Sequence, residues 1–174
     1  MTESTRPLIA TLTLSDTRTE ADDQGGASLR RELERAGFRL HGHAIVREEP
    51  SQLRLAIEEL LSQELIDAIV MTGGTGISPR DRTFEVVEPL LDKRLDGFGE
   101  AFRRLSWDQV GPRSVLSRAL AGVSRGRVLV ALPGSVKAVE LAVTALLAPL
   151  LDHACALARG RAHGHQSSGP GGLR

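Results

Sequence analysis

The sequence has no tyrosine, a single tryptophan and four phenylalanines, so aromatic residues fill only 3% of its 174 positions. A stacking platform for single-stranded nucleic acid needs more rings than that. It has no surplus of either charge, with 22 Lys and Arg against 22 Asp and Glu. Nucleic acids and anionic membranes are met by a basic excess, so neither is an expected partner, although local basic patches remain open. Its one cysteine, Cys155, cannot form an intrachain disulfide or by itself build a zinc site. No run approaches about 20 uncharged apolar residues, and the longest, at 139–151, reads as a buried helix. Glu3, Thr5, Arg6 and Pro7 interrupt any signal-like run near the start, and a cytoplasmic location is expected.

What is present fits a folded domain. Hydrophobic residues make up 41%, too many for a disordered chain. The length suits one domain, expected over residues 6–159, followed by a Gly-, His- and Ser-rich tail at 160–174 that is expected to be disordered. Short β-leaning runs at 8–14, 38–46, 68–71 and 128–132 alternate with helical patterns. Helices are expected from Gly25 to Arg35, from Ser51 as N-cap, at 83–91 and 98–107, and from 135 toward 159 with a bend at Pro149. This alternation is the pattern of an α/β layered domain.

Three strand ends carry unusual residues: Leu14-Ser15-Asp16-Thr17, the loop Thr72-Gly73-Gly74-Thr75-Gly76, and Leu132-Pro133-Gly134-Ser135. In open α/β sheets, ligands bind where strands end and loops gather. Three glycines in five residues let a backbone turn sharply and offer bare N–H groups to an anion, and two threonine hydroxyls add donors. A tight turn with no ligand is the alternative. The loop is neither a Walker A motif, since no Gly-Lys-Ser/Thr follows, nor a dinucleotide fingerprint, whose third glycine position is Pro79. Asp81, between Arg80 and Arg82, either caps the following helix or holds a divalent cation against substrate phosphates. Ser135 and Lys137 repeat the anion-suited geometry at a helix start, with plain capping as the alternative. His41 and His43 share a strand face without a third metal ligand and read as surface residues. No G-x-S-x-G elbow supports a serine hydrolase.

With these motifs in place, the chain resembles the molybdenum cofactor biosynthesis proteins of the MoaB/MogA type. The likeness spans residues 7–158 and rests on Leu14-Ser15-Asp16-Thr17-Arg18, Asp23-Gln24-Gly25 and the glycine loop with Arg80-Asp81. It continues through Gly97-Phe98-Gly99-Glu100, Leu116-Ser117-Arg118-Ala119 and Leu132-Pro133-Gly134-Ser135 with Lys137. The last motif and the short length look more like the B-type branch. The resemblance implies a three-layer α/β/α sandwich with a mostly parallel sheet, molybdopterin binding, and a homotrimer or homohexamer. For active members it implies adenylylation of molybdopterin with Mg²⁺-ATP, releasing pyrophosphate. It assigns Asp81 and Glu48 to metal and catalysis. Ser15, Asp16, residues Thr72, Gly73, Gly74, Thr75 and Gly76, Glu100, Ser117, Pro133, Gly134, Ser135 and Lys137 are assigned to substrate or phosphate. One departure stands out: the family's Val/Ile-Pro-Asp-Asp/Glu segment reads Val46-Arg47-Glu48-Glu49-Pro50 here. Glu48 replaces an aspartate with a side chain one methylene longer, and a misplacement of about 1 Å costs about 10²-fold in rate. A non-catalytic molybdopterin-binding or scaffolding oligomer with the same pocket is therefore the alternative.

Overall fold

The computed structural model describes residues 6–160, so the tail expected at 160–174 lies outside them apart from Gly160. Six strands form one sheet: β1 (Leu8–Leu14), β2 (Arg39–Val46), β3 (Ala68–Thr72), β4 (Lys93–Arg94), β5 (Leu120–Ser124) and β6 (Arg127–Leu132). Their spatial order is β2-β1-β3-β6-β5-β4. The first four in that order run parallel, whereas β5 and β4 pair antiparallel. The helices are α1 (Gln24–Arg35), α2 (Pro50–Ser62), α3 (Thr83–Val87), α4 (Asp96–Val110), α5 (Val136–Ala142) and α6 (Ala148–Ala158).

Alternation along the strands builds both sides of the sheet. Ala68 and Val70 of β3, with Val128, Val130 and Leu132 of β6, pack with Leu29 and Leu33 of α1 and Val139 and Leu147 of the last helix. Ile69 and Met71, with Leu129 and Ala131, meet Leu53, Ile57 and Leu61 of α2 and Val86 and Val87 of α3 on the opposite face. Because β3 is covered on both sides, all five of its residues are buried, which is why it reads as an unbroken apolar run. The result is the three-layer α/β/α sandwich expected.

Three local expectations need correction, and the long last helix, present as expected, gains a detail. Glu49, not Ser51, caps α2: its carboxylate accepts from Gln52 N–H at 2.9 Å, and Pro50 occupies the first helical turn. The helix expected at 83–91 stops after five residues, because Pro89 lacks an amide donor and the chain tightens into a 3₁₀ turn, Glu88–Leu90. Strands β4 and β5 were not expected at all. β5 joins β6 through Arg125-Gly126, both with positive φ (49° and 74°), the two-residue turn whose twist matches paired strands. Finally, α5 and α6 form one continuous helix through a π-helical turn, Val143–Leu147, placed just before Pro149. By length and apolar character alone, Val136–Ala158 could cross a membrane. Here its buried residues, Val139, Ala142, Val143, Leu147, Leu151 and Cys155, face the sheet. Burial pushes the Cys155 thiol up to about 12, so it is protonated at neutral pH.

Candidate functional site

β1, β3 and β6 are parallel and adjacent, so their carboxyl ends open side by side. A cleft of about 250 Å³ lies there, lined by Leu14, Ser15, Asp16, Thr17, Arg18, Glu48, Gly73, Gly74, Arg80 and Gly134. Each wall is fixed by a local device. At the end of β1, Ser15 Oγ accepts from the amides of Thr17 and Arg18 at 3.3 and 3.1 Å, which folds the chain back and brings Arg18 to the cleft. At the end of β3, Gly73 and Gly74 have φ of 110° and 62°, and a Cβ on Gly73 would collide with the carbonyl oxygen of Leu14. Only glycine lets the two strand ends close in this way. At the end of β6, Gly134 passes so near α1 that a Cβ on Gly25 would stand 2.8 Å from its carbonyl oxygen.

The adjacent glutamates 48 and 49 are divided by their work. Glu49 is spent on capping α2, whereas Glu48 lines the cleft and its backbone N–H donates to Asp16 Oδ1 at 3.1 Å. Burial, then the charges of Asp81 and Asp16, push the Glu48 carboxyl above its ordinary range, against the opposing pull of Arg80 and Arg18. Three carboxylates and two guanidiniums thus act on one another here. Among the described residues no three His, Cys, Asp or Glu side chains stand close enough to hold a metal by themselves. An all-oxygen set of one or two carboxylates nevertheless suits a hard cation such as Mg²⁺, which takes its remaining ligands from water and substrate phosphates.

The other expected site residues have varied placements. Asp81 does not cap α3; its Oδ2 accepts from Ser78 N–H at 2.8 Å, and the N-cap position, Arg82, makes no side-chain cap. The Thr72 hydroxyl, expected to face an anion, instead donates to Pro133 O at 2.9 Å and ties two strand ends together. Thr75 is buried, and the carbonyls of Thr75 and Gly76 accept from Arg118. Ser135 caps the last helix, accepting from Ala138 N–H at 3.3 Å. Glu100, Ser117 and Lys137 are not brought to this cleft. Glu100 is exposed on α4. Ser117 lines a separate cavity of about 310 Å³ with Gly99, Arg103 and Phe84. Lys137, in the first turn of the last helix, lines a third with Gln109 and Glu140.

Arg18 and Arg80 are the charged cleft residues that sequence reasoning left unassigned, although each lies within two positions of an assigned carboxylate, Asp16 or Asp81. Behind Arg18 lies a second unforeseen feature. Asp23, with its side chain 1% exposed, caps α1 through Gly26 N–H at 2.9 Å, accepts from Thr13 at 2.7 Å, and meets Arg18 at 3.4 Å and His43 Nε2 at 3.1 Å. Burial pushes its carboxyl up, but the hydrogen bonds from Gly26, Thr13 and His43 outweigh that and hold it below the usual range. His43 is not a surface residue: its side chain is 9% exposed, and burial lowers its pKa against the pull of Asp23.

Comparison with known proteins identifies the family and the fold. Residues 10–153 match the family model described as "Probable molybdopterin binding domain". The chain is 45% identical to molybdenum cofactor biosynthesis protein B of Halalkalibacterium halodurans over 143 residues, covering 82% of this chain and 84% of that one. It is 42% identical to the protein of the same name from Staphylococcus aureus over 147 residues, covering 83% and 87%. Among solved structures, a molybdenum cofactor biosynthesis protein B superposes with a TM-score of 0.86 at 36% identity, covering 89% of this chain and 97% of that one. The tungsten cofactor synthesizing protein MoaB from Pyrococcus furiosus gives 0.81 at 35% identity, covering 88% and 98%. The chain belongs to the molybdenum cofactor biosynthesis proteins of the MoaB/MogA type, with a molybdopterin-binding domain.

Proposed function

We propose that this protein adenylylates molybdopterin with Mg²⁺-ATP. The observation that carries the reading is the cleft at the ends of β1, β3 and β6, where Glu48, Asp16 and the charge of Asp81 meet Arg18, Arg80 and the glycine turn. In this reaction an oxygen of the molybdopterin phosphate attacks the α-phosphorus of ATP. The bond from that phosphorus to the bridging oxygen of the β-phosphate breaks, and pyrophosphate leaves. The nucleophile is already ionised at neutral pH, so no side-chain base is required. What is required is alignment of two anions and stabilisation of charge at the α-phosphorus.

The residues have parts suited to that work. Backbone N–H groups near Gly74 and Gly134 and the guanidiniums of Arg18 and Arg80 bind phosphate oxygens, while the Gly73 N–H is taken by Leu132 O at 2.9 Å. Glu48 and Asp81 would hold Mg²⁺, which when bound neutralises phosphate charge. The cleft is smaller than the roughly 300–1,000 Å³ of ordinary small-molecule pockets, so it suits phosphates and a cation, with the ring systems on adjoining loops. A homo-oligomer and a cytoplasmic location belong to the same reading. The exposed Trp107, Val110, Val115 and Leu116, gathered where α4 runs into the 3₁₀ turn Gly111–Leu116, support a subunit contact.

The test is pyrophosphate release by purified protein given molybdopterin and Mg²⁺-ATP. Turnover that needs all three supports the proposal. Molybdopterin binding without pyrophosphate release would assign the protein to the non-catalytic binders.

A further inference from the structure

We propose that Arg118 is a positioning residue that holds the glycine loop closed and thereby sets where the Asp81 carboxylate points. This rests on the reading of Asp81 as part of the phosphate and metal site. The guanidinium donates from Nε to Gly76 O at 2.8 Å and from Nη2 to Asp81 O at 3.0 Å. One planar fork therefore pins both ends of the turn 76–81. Arg118 also donates its own backbone N–H to Thr75 O at 2.9 Å, fastening the lead into β5 along the same loop.

The fork is itself held in place. It pairs with the Glu85 carboxylate and lies over the Phe84 ring, 5.3 Å from its centroid, so both supports come from α3, the helix that the loop enters. Its side chain is only 28% exposed. The loop has little else at its tip. Residues 77–80 are exposed, and the bonds between Ser78 and Asp81 are internal to the turn. The carboxylate packs on the held segment: Asp81 Oδ2 is 2.7 Å from where a Cβ on Gly76 would stand. Moving the Gly76 carbonyl therefore moves the surface on which the carboxylate rests. A lysine keeps the charge but not the rigid fork, and it cannot bridge two carbonyls in the same way.

The experiment compares wild type, Arg118→Met, Arg118→Lys, Asp81→Asn and the Met–Asn double variant. Calorimetry reads Mg²⁺-ATP binding, and amide hydrogen exchange reads the 76–82 segment. Both Arg118 variants should speed exchange in that segment while the β1, β3 and β6 amides stay protected. Each should also weaken Mg²⁺-ATP binding by about 10- to 100-fold, the range for residues that orient metal ligands. Adding Asp81→Asn to Arg118→Met should then cost little more. Unchanged exchange overturns the proposal, as do additive losses. Full binding in Arg118→Lys overturns it too, since only a charge effect is rescued that way. If Arg118→Met does not fold, Arg118→Lys and its double variant with Asp81→Asn carry the same comparison. If wild type does not bind Mg²⁺-ATP, the functional reading fails separately, and the exchange result alone decides the role of Arg118.

Discussion

Glu48→Gln should make the ligand-free protein more stable while removing its adenylyl transfer. Burial and the charges of Asp81 and Asp16 disfavour the ionised Glu48 carboxylate in the fold. A raised carboxyl pKa means that the folded state keeps a proton that the unfolded chain has released. Stability therefore falls as pH rises from the ordinary value, 4.5, through the raised one, and stays lower above it. Glutamine removes that penalty at neutral pH. Glu48 is half-buried at the mouth of the cleft, where solvent still screens its neighbours, so the gain is about 0.5 kcal/mol. For a domain of this size that is about 1–2 °C in Tm. Scanning calorimetry at pH 7 and low salt should show the rise. It should shrink in 1 M salt, where the screening length is about 3 Å, and vanish below pH 4. Mg²⁺ with ATP should stabilise wild type more than the variant, because the variant lacks a charge for the cation. A variant equal to or less stable than wild type at low salt would refute the crowding of charge at this cleft.

Asp81→Asn should lower adenylyl transfer by about 10²–10³-fold with little change in Tm, since asparagine can still accept the Ser78 amide bond; normal turnover would reduce Asp81 to a turn-closing residue. Burial lowers the His43 pKa in the fold, so stability should decline as pH falls below about 6.5, where the unfolded chain takes up the proton first. Urea midpoints across that window should flatten in His43→Gln, and an equal slope in the variant would contradict the assignment. Trp107→Glu with Val115→Glu should dissociate a homo-oligomer in sedimentation experiments while leaving each chain folded; an unchanged sedimentation coefficient would place the contact elsewhere.

The legible parts of the fold were those whose pattern is local. The runs in β1, β3 and β6 are apolar because their faces are covered twice, and the loops after them are rich in Gly, Pro and Ser. β5 was missed because Leu120-Ala121-Gly122-Val123-Ser124 is small and contains glycine. Gly122 is needed there, since a Cβ would stand 2.5 Å from the carbonyl oxygen of Lys93 on the neighbouring strand β4. β4 has two residues, too few to carry any period. At the site, the motifs brought Ser15, Asp16, Gly73, Gly74 and Gly134 to one cleft. Spacing alone could not tell Glu48 from Glu49, because the distinction lies in which one the start of α2 consumes. Nor could it join Asp23 to His43, which meet only once β2 pairs with β1 and sets His43 beside Thr11.

The widened turn at Val143–Leu147 has a consequence for how the last helix keeps its grip. Val139, Val143, Leu147, Leu151 and Cys155 are buried at steps of four residues. In a regular helix of 3.6 residues per turn, each such step overshoots by about 40°, so the last of these side chains would stand about 160° from the first. That is nearly the opposite side of the cylinder, where Cys155 would face water and the sheet would lose its cover. A π turn takes an extra residue into one revolution and winds the stripe back midway. The bulge is thus a phase corrector, allowing a straight contact line along 23 residues of helix. Deleting one residue between 143 and 147 would leave a regular helix in which Leu151 and Cys155 stand about 20° and about 60° from Val139, so the core contact would survive while the π turn disappeared.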